Sequence, residues 1–106
     1  MEPYYGYHVN IAKMAGLQPQ FITLEPPEFI LSETKLRSAI TSNTRAIVCC
    51  TPSNPSGKMF TTKEVQVLAK IAKEYDLLLI TDEIYEYIRY DNRPHISPAA
   101  VEDLWE

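Results

Sequence analysis

Two short motifs carry side chains that could bind a small molecule at one edge of a predicted sheet. Asn-Pro-Ser-Gly at residues 54–57 follows one apolar run, and Asp-Glu-Ile-Tyr at residues 82–85 closes the next. In open α/β sheets, ligands bind outside the carboxyl ends of parallel strands, which is where both motifs lie. The amide of Asn54, the carboxylate of Asp82 and the phenol of Tyr85 could therefore hydrogen-bond one ligand there.

Each motif also has an ordinary structural explanation. Asparagine, proline and glycine are turn-forming residues, so Asn-Pro-x-Gly alone indicates a turn more often than a site. An acidic pair after an apolar strand often only solvates the strand end, and we expect Glu83 to be structural or an auxiliary group. The two motifs in this order, one helix apart, are much more specific than either motif alone.

The elements that must position these motifs alternate between strand and helix. Strands are predicted at residues 20–24, 46–50 and 77–80. The prolines at 26–27 end the first strand, and the other two are continuous apolar runs, the pattern of strands buried on both faces. This alternation implies βαβ units with a mainly parallel sheet and right-handed crossovers. Three strands alone leave sheet edges unpaired, so we expect the complete protein to contain further sequence.

Helices are predicted between and around these strands. After an aromatic loop at residues 3–7, the first helix ends near Gly16, a residue able to take a positive φ angle. Ser32 can cap a second helix running to about residue 41, and Thr61 with Glu64 forms a capping box for a third. A short helix is also predicted near residues 101–105. The inward stripes are expected to contain Leu36, Ala39 and Ile40 in the second helix, and Val65, Leu68, Ala72 and Tyr75 in the third.

Composition excludes several classes of function. The chain has 106 residues, 45% of them hydrophobic, which is one domain at most. Its net charge of −4 argues against a nucleic-acid surface, and no apolar stretch approaches the roughly 20 residues of a membrane span. The adjacent Cys49 and Cys50 point to opposite faces of a strand, so we expect neither a disulfide nor a metal site. Reduced cysteines indicate a cytoplasmic protein.

The two motifs, in this order and at this separation, resemble the large domain of the fold-type I, pyridoxal-phosphate-dependent aminotransferases of class I and II. Residues 2–7 with the later Ala-Gly at 15–16 are similar to a stretch that precedes them in the family, and residues 29–48 and 95–98 with Trp105 agree with it. The resemblance spans nearly the whole chain. It implies a three-layer α/β/α fold in which residues 1–106 form the central part of the large domain.

The resemblance also implies a role for four residues around pyridoxal 5′-phosphate. Asp82 would keep the pyridine nitrogen protonated, Tyr85 and Asn54 would hydrogen-bond the 3′ oxygen, and Tyr5 would stack on the ring. We expect neither Tyr7 nor His8 to be catalytic. The resemblance places the Schiff-base lysine beyond residue 106, so no catalytic residue is assigned within the chain.

The whole protein is accordingly expected to exchange an amino group between an amino acid and a 2-oxo acid in amino-acid metabolism, for example in a biosynthetic process. Family members are usually homodimers, which we expect here, and the 106 residues alone are expected to be inactive because they lack the lysine. Related fold-type I lyases and synthases share these motifs. The residues do not indicate which amino acid or oxo acid is used.

Two further functions compete with this interpretation. Residues 77–83 fit a Walker B strand of a P-loop ATPase, and Ser-Gly-Lys at 56–58 resembles the end of a phosphate-binding loop. That loop, however, requires glycine at the position of Pro52 and serine or threonine at the position of Met59. A binding module that has retained the sheet without a cofactor is the third possibility. Pyridoxal phosphate binding that weakens on Asp82→Ala would separate the cofactor-binding interpretation from both.

Overall fold

The computed structural model describes residues 1–101, which form three α-helices, two strands and a short 3-10 helix. In chain order these are α1 (Gly6–Met14), α2 (Glu33–Ala39), β1 (Ala46–Cys50), α3 (Thr62–Glu74), β2 (Leu78–Asp82) and the 3-10 helix Pro98–Ala100. The β1-α3-β2 unit confirms the predicted α/β class. No helix within residues 1–101 is long and apolar enough to span a membrane.

Strands β1 and β2 are parallel and pair in register from Ala46 with Leu78 to Cys50 with Asp82. The pairing continues one residue past β1, where the backbone N–H of Thr51 donates to the carbonyl of Asp82 over 2.9 Å. Because both strands end at the same edge, the two motifs that follow them begin side by side.

The core lies between one face of β1 and helices α2 and α3. Ile47 and Cys49 point into it, opposite the buried face of α3. Each large apolar side chain removed from water here contributes about 1.5–3 kcal/mol to folding. The buried residues that complete this cluster are Leu24, Leu31, Leu36, Phe60, Val65, Leu68, Ile71 and Ala72.

Helix α1 lies on the opposite face of β1. His8, Val9 and Ala12 of α1, together with Val48 and Cys50 of β1, line a cavity of about 560 Å³. Helices therefore flank the strand on both faces, as a three-layer arrangement requires. The cavity also explains why Val48 and Cys50 are only half-buried, whereas the prediction had both faces of β1 fully buried.

The predicted helix signals are confirmed where they involve caps and glycines. The Ser32 hydroxyl accepts from the N–H of Lys35 at the start of α2. At the start of α3, Thr61 accepts from the N–H of Glu64, whose carboxylate accepts from the N–H of Thr61 in return. Gly16 after α1 has a φ angle of +74°.

The predicted strand at residues 20–24 is wrong. This segment forms a single parallel bridge, in which Glu2 donates to the carbonyl of Ile22 and accepts from the N–H of Leu24. The pairing goes no further within residues 1–101, because the N-terminal segment is only a few residues long before it enters α1 at Gly6.

Strand β2 differs from its prediction in bounds and in burial. It extends to Asp82, and its residues Leu78 and Ile80 are 69% and 50% exposed. The apolar run correctly indicated a strand, but it did not indicate that one face of this strand lies outside the core of the described residues.

Three helix predictions also need correction. Helix α1 begins at Gly6, so Gly6 and Tyr7 are helical rather than part of a loop. Helix α2 ends at Ala39, because Thr41 and Thr44 form a turn through backbone and hydroxyl hydrogen bonds. Tyr75 caps α3 and is exposed, with its ring 5.8 Å from the guanidinium of Arg37 instead of in the core. The helix predicted near residues 101–105 lies, except for Val101, outside the described residues.

Candidate functional site

Asp82 ends β2 with both carboxylate oxygens in hydrogen bonds. His8 on α1 places its Nε2 atom 2.8 Å from Oδ2, and the N–H of Ile84 donates to Oδ1 over 3.2 Å. An ionised carboxylate only accepts, so Nε2 of His8 carries the donated proton. Asp82 is therefore held in one orientation by two donors from different elements.

Asn54 and Tyr85 meet across the two strand ends. The Nδ2 atom of Asn54 lies 3.5 Å from the Oη atom of Tyr85, at the long limit of a hydrogen bond. Both groups can donate, and at this separation both can donate to one oxygen placed between them. The pair thus provides a converging set of donors next to Asp82.

Tyr5 forms the N-cap position of α1 and is 37% exposed. Its ring packs edge-to-face on His8 and on Tyr7, with centroid distances of 5.7 and 5.1 Å. Desolvation raises the pKa of the Tyr5 phenol, and Tyr7, Tyr85 and Asp82 add to the rise, in that order. Tyr5 is thus joined to Asp82 through His8, and the four residues predicted from the sequence come together.

We expected His8 not to be catalytic, and its contact with Asp82 was not predicted. The signal that could have found it is its spacing from Tyr5: residues three apart lie on the same face at the start of a helix. The contact was missed because residues 3–7 were expected to be a loop, which has no such periodicity. The contact of His8 with Asp82 joins positions 74 residues apart, so only the tertiary structure could identify it.

The loop that carries Asn54 is anchored by a buried ion pair. Lys58 places its Nζ atom 2.7 and 3.0 Å from the two carboxylate oxygens of Glu64, and the two side chains are only 8% and 10% exposed. The same carboxylate accepts from the N–H of Leu31 and from both the N–H and the hydroxyl of Thr61. The sequence identified Glu64 as a helix cap but not as the group that holds this loop.

The loop also closes on itself through Gly57. The N–H of Gly57 donates to the carbonyl of Ser53, and the N–H of Ser53 donates to the carbonyl of Lys58. Gly57 has a φ angle of +70°, a conformation that glycine adopts without the steric cost of a side chain. Asn54 is therefore presented by a closed turn rather than by an extended chain.

Glu83, next to Asp82, binds a different set of partners. Its carboxylate accepts from the hydroxyls of Thr81 and Ser97, over 2.9 and 2.8 Å, and from Nε2 of His95 over 2.5 Å. Burial by itself would raise the pKa of Glu83, but the hydrogen bonds from His95, Ser97 and Thr81 bring it below its ordinary value. Neighbouring carboxylates thus bind His8 on one side and His95 on the other.

Three further features concern the possible ligands: the groups that could hold a metal ion, the surroundings of Lys58, and the cavity beneath α1. Across residues 1–101, no group of three or more histidine, cysteine, aspartate or glutamate side chains could hold a metal ion. The ammonium of Lys58 is buried against Glu64, which does not favour a phosphate-binding role for it. Of the four predicted site residues, only Tyr5 lines the cavity beneath α1.

Comparisons with known proteins agree on one family. The family model described as "Aminotransferase class I and II" matches residues 1–103. The chain is 33% identical over its whole length to kynurenine–oxoglutarate transaminase 1 of Homo sapiens. It is 39% identical, over 95% of its length, to an aspartate aminotransferase of Bacillus subtilis (strain 168).

A solved structure gives the same result for the fold. N-succinyldiaminopimelate aminotransferase from Mycobacterium tuberculosis superimposes with a TM-score of 0.92 at 34% identity, covering 96% of this chain and 27% of that one. The chain spans about a quarter of the length of its curated relatives, 28% of the human protein and 26% of the Bacillus protein.

Proposed function

The chain belongs to the aminotransferase class I and II family, and we propose that it forms the cofactor-holding centre of an aminotransferase large domain. The whole protein would exchange an amino group between an amino acid and a 2-oxo acid, with pyridoxal 5′-phosphate as its cofactor. The observation that carries this proposal is the convergence of Asp82, Asn54 and Tyr85 at one edge of the sheet.

The donors and acceptors in the site match the polar groups of the cofactor. Asp82, already oriented by His8 and by the N–H of Ile84, would accept a hydrogen bond from the protonated ring nitrogen. Asn54 and Tyr85 lie close enough together for both to donate to the 3′ oxygen of the ring. When bound, the cofactor supplies a protonated pyridine ring that withdraws electrons from the reacting carbon.

Tyr5 and His8 complete the proposed site on the α1 side. The partly exposed ring of Tyr5 would stack on the cofactor, and aromatic rings stack well on an electron-poor ring. His8 would act as a positioning residue, since it contacts Asp82 and packs against Tyr5. The catalytic lysine would lie in another part of the whole protein, so residues 1–106 alone would not transaminate.

The assembly and location of the whole protein are part of the same proposal. We propose a homodimer, as the resemblance implies, and a cytoplasmic protein, because Cys49 is a buried free thiol and Cys50 is also reduced. The substrates would be an amino acid and a 2-oxo acid, with no nucleic acid or membrane as partner.

The test is a titration of the whole protein that contains this chain with pyridoxal phosphate, followed by absorbance. Asp82→Asn should weaken binding at least about tenfold, since a charge-assisted hydrogen bond is worth about 1.5–3 kcal/mol and each 1.4 kcal/mol is tenfold. Asp91→Asn is the matched control, because Asp91 is an exposed loop residue. Absence of binding by the unsubstituted protein, or equal binding by Asp82→Asn, would contradict the proposal.

A further inference from the structure

Glu83 connects the candidate site to a second segment of the chain. Its carboxylate accepts hydrogen bonds from Thr81 on β2 and from His95 and Ser97 beyond the site. The side chains of Glu83 and His95 are 19% and 10% exposed, so this contact is largely shielded from water. An ionised carboxylate has about four acceptor sites on its two oxygens, so it can accept all three bonds.

The segment that holds Glu83 is itself fixed to the core. Ser97 caps the 3-10 helix Pro98–Ala100 by accepting from the N–H of Ala99. Pro98 is fully buried, and the 3-10 helix packs against α3. His95 and Ser97 are thus attached to the same helix that connects β1 to β2.

Glu83 lies in the sequence between two predicted cofactor residues: Asp82 at the end of β2, and Tyr85 in the turn that follows. It is bonded directly to Asp82, and its carbonyl accepts from the N–H of Glu86, which closes the turn around Tyr85. Rotation of the backbone at Glu83 would change the direction of Asp82 and the position of Tyr85 together. Anchoring the Glu83 side chain prevents that rotation.

Stability alone is a weak explanation for this arrangement. Taking a carboxylate and a histidine out of water costs free energy that their attraction only partly recovers. In addition, Nδ1 of His95 is buried and has no hydrogen-bond partner among residues 1–101. A buried nitrogen without a partner lowers the free energy of unfolding. An apolar contact between the same segments would not carry this desolvation penalty.

We propose that Glu83, held by His95 and Ser97, is a positioning residue that aims Asp82 and Tyr85 at the cofactor. This inference rests on the proposed function for its cofactor, but the orientation of Asp82 can be measured without it. Within residues 1–101, the hydrogen bonds of the Glu83 side chain go to Thr81, His95 and Ser97, so its effect on His8 and on the cofactor must pass through the backbone of Asp82 and the turn.

The first experiment measures the contact between His8 and Asp82 in the whole protein without cofactor. The Nε2 proton of His8, observed by NMR with 15N-labelled histidine, reports whether Asp82 still accepts its hydrogen bond. Glu83→Gln should shift or broaden this resonance. Glu86→Gln, which removes the same charge three residues further along, should leave it unchanged. An unchanged resonance in Glu83→Gln overturns the inference.

The second experiment measures pyridoxal phosphate binding and the absorbance spectrum of the bound ring. Glu83→Gln should weaken binding about tenfold, equivalent to about 1.4 kcal/mol, and should shift the spectrum in the same direction as Asp82→Asn. Glu86→Gln should change neither quantity. If the unsubstituted protein does not bind, the proposed function fails, while the His8 resonance still decides the role of Glu83.

His95 variants separate positioning from simple packing. The amide of His95→Gln can still donate to Glu83 and should retain the spectrum and the affinity, whereas His95→Leu fills the space without a donor and should behave like Glu83→Gln. Ser97→Ala removes one of three donors and gives an intermediate result if Glu83→Gln does not fold. Equal binding and equal spectra in His95→Gln and His95→Leu would overturn the inference.

Discussion

The side chains of Asn54 and Tyr85 lie 3.5 Å apart, although one follows β1 and the other follows β2. This contact exists because the two strands are parallel, pair in register and end at the same edge of the sheet. The α3 crossover returns the chain to the opposite edge, from which β2 runs to the first edge and ends at Asp82. One βαβ unit therefore supplies three of the four residues proposed to hold the cofactor.

A double-substitution cycle tests whether Asn54 and Tyr85 donate to the same oxygen. Asn54→Ala and Tyr85→Phe should each weaken pyridoxal phosphate binding about fivefold, the effect of losing about 1 kcal/mol. The double variant should differ from the product of the two single effects, since groups that share a partner are coupled. Binding is measured by absorbance titration of the whole protein.

Two exposed residues provide controls for this cycle. Asn43→Ala and Tyr87→Phe remove the same groups outside the site and should leave the affinity unchanged. Strict additivity of Asn54→Ala and Tyr85→Phe would indicate that the two side chains do not share an acceptor.

The ion pair of Lys58 and Glu64 should dominate the stability of the loop that carries Asn54. Glu64→Leu leaves the Lys58 ammonium buried without its partner, which costs about 3–5 kcal/mol. The double variant Lys58→Met with Glu64→Leu should recover much of this loss, because no charge then remains buried. The free energy of unfolding in urea measures both, with Glu28→Leu as an exposed control.

The same pair predicts a pH dependence. Burial by itself would raise the pKa of Glu64, but hydrogen bonds from Leu31, Lys58 and Thr61 lower it below its ordinary value of 4.5. The stabilisation by Glu64 is therefore present above pH 4.5 and is lost as the pH falls through the lowered pKa. The difference in unfolding free energy between the unsubstituted protein and Glu64→Gln should stay constant above pH 4.5 and shrink as the pH falls below that value. A difference that also stays constant below that value would show that Glu64 is not held ionised.

Gly57 should resist substitution for conformational reasons only. Its φ angle is +70°, and an added Cβ would meet no atom within 4 Å, so Gly57→Ala has strain but no clash. We expect a loss of about 1–2 kcal/mol in unfolding free energy. Gly6→Ala is the matched control: it also meets no atom within 4 Å, but it lies in α1, where alanine is favoured by up to about 1 kcal/mol. Equal effects of the two substitutions would contradict this explanation.

Cys49 should be unreactive in the folded protein. Burial, with smaller contributions from Glu83 and Cys50, raises the pKa of its thiol to about 12. Because the thiolate is the nucleophile, iodoacetamide at neutral pH should leave Cys49 unlabelled until urea unfolds the protein. Mass spectrometry of the digested protein gives the result for each cysteine, and labelling of Cys49 before unfolding would contradict the burial described here.

The sequence predicted the parts of the molecule that depend on local patterns. The apolar runs located β1 and β2, the capping box located the start of α3, and the two motifs placed Asn54 and Asp82 at strand ends. The family resemblance is likewise confirmed. These features depend on residue types within a few positions of one another, which the sequence displays directly.

The contacts that the sequence did not predict join distant segments. The Oδ2 atom of Asp82 binds His8, and the carboxylate of Glu64 binds the N–H of Leu31, over separations that no local pattern encodes. Residues 20–24 have the composition of a strand, yet they pair with Glu2 alone, because the N-terminal segment enters α1 at Gly6. The missing information was the position of the N-terminal segment relative to the rest of the fold.

Two contacts hold the candidate site together across very different lengths of chain. The contact between Asn54 and Tyr85 closes a loop of 31 residues, and the bond between His8 and Asp82 closes one of 74. Loop-closure entropy grows only logarithmically with length, so the longer loop costs about 0.8 kcal/mol more to close. That small difference means that α1 can join Asp82 from far along the chain with little more entropic cost than the shorter loop has.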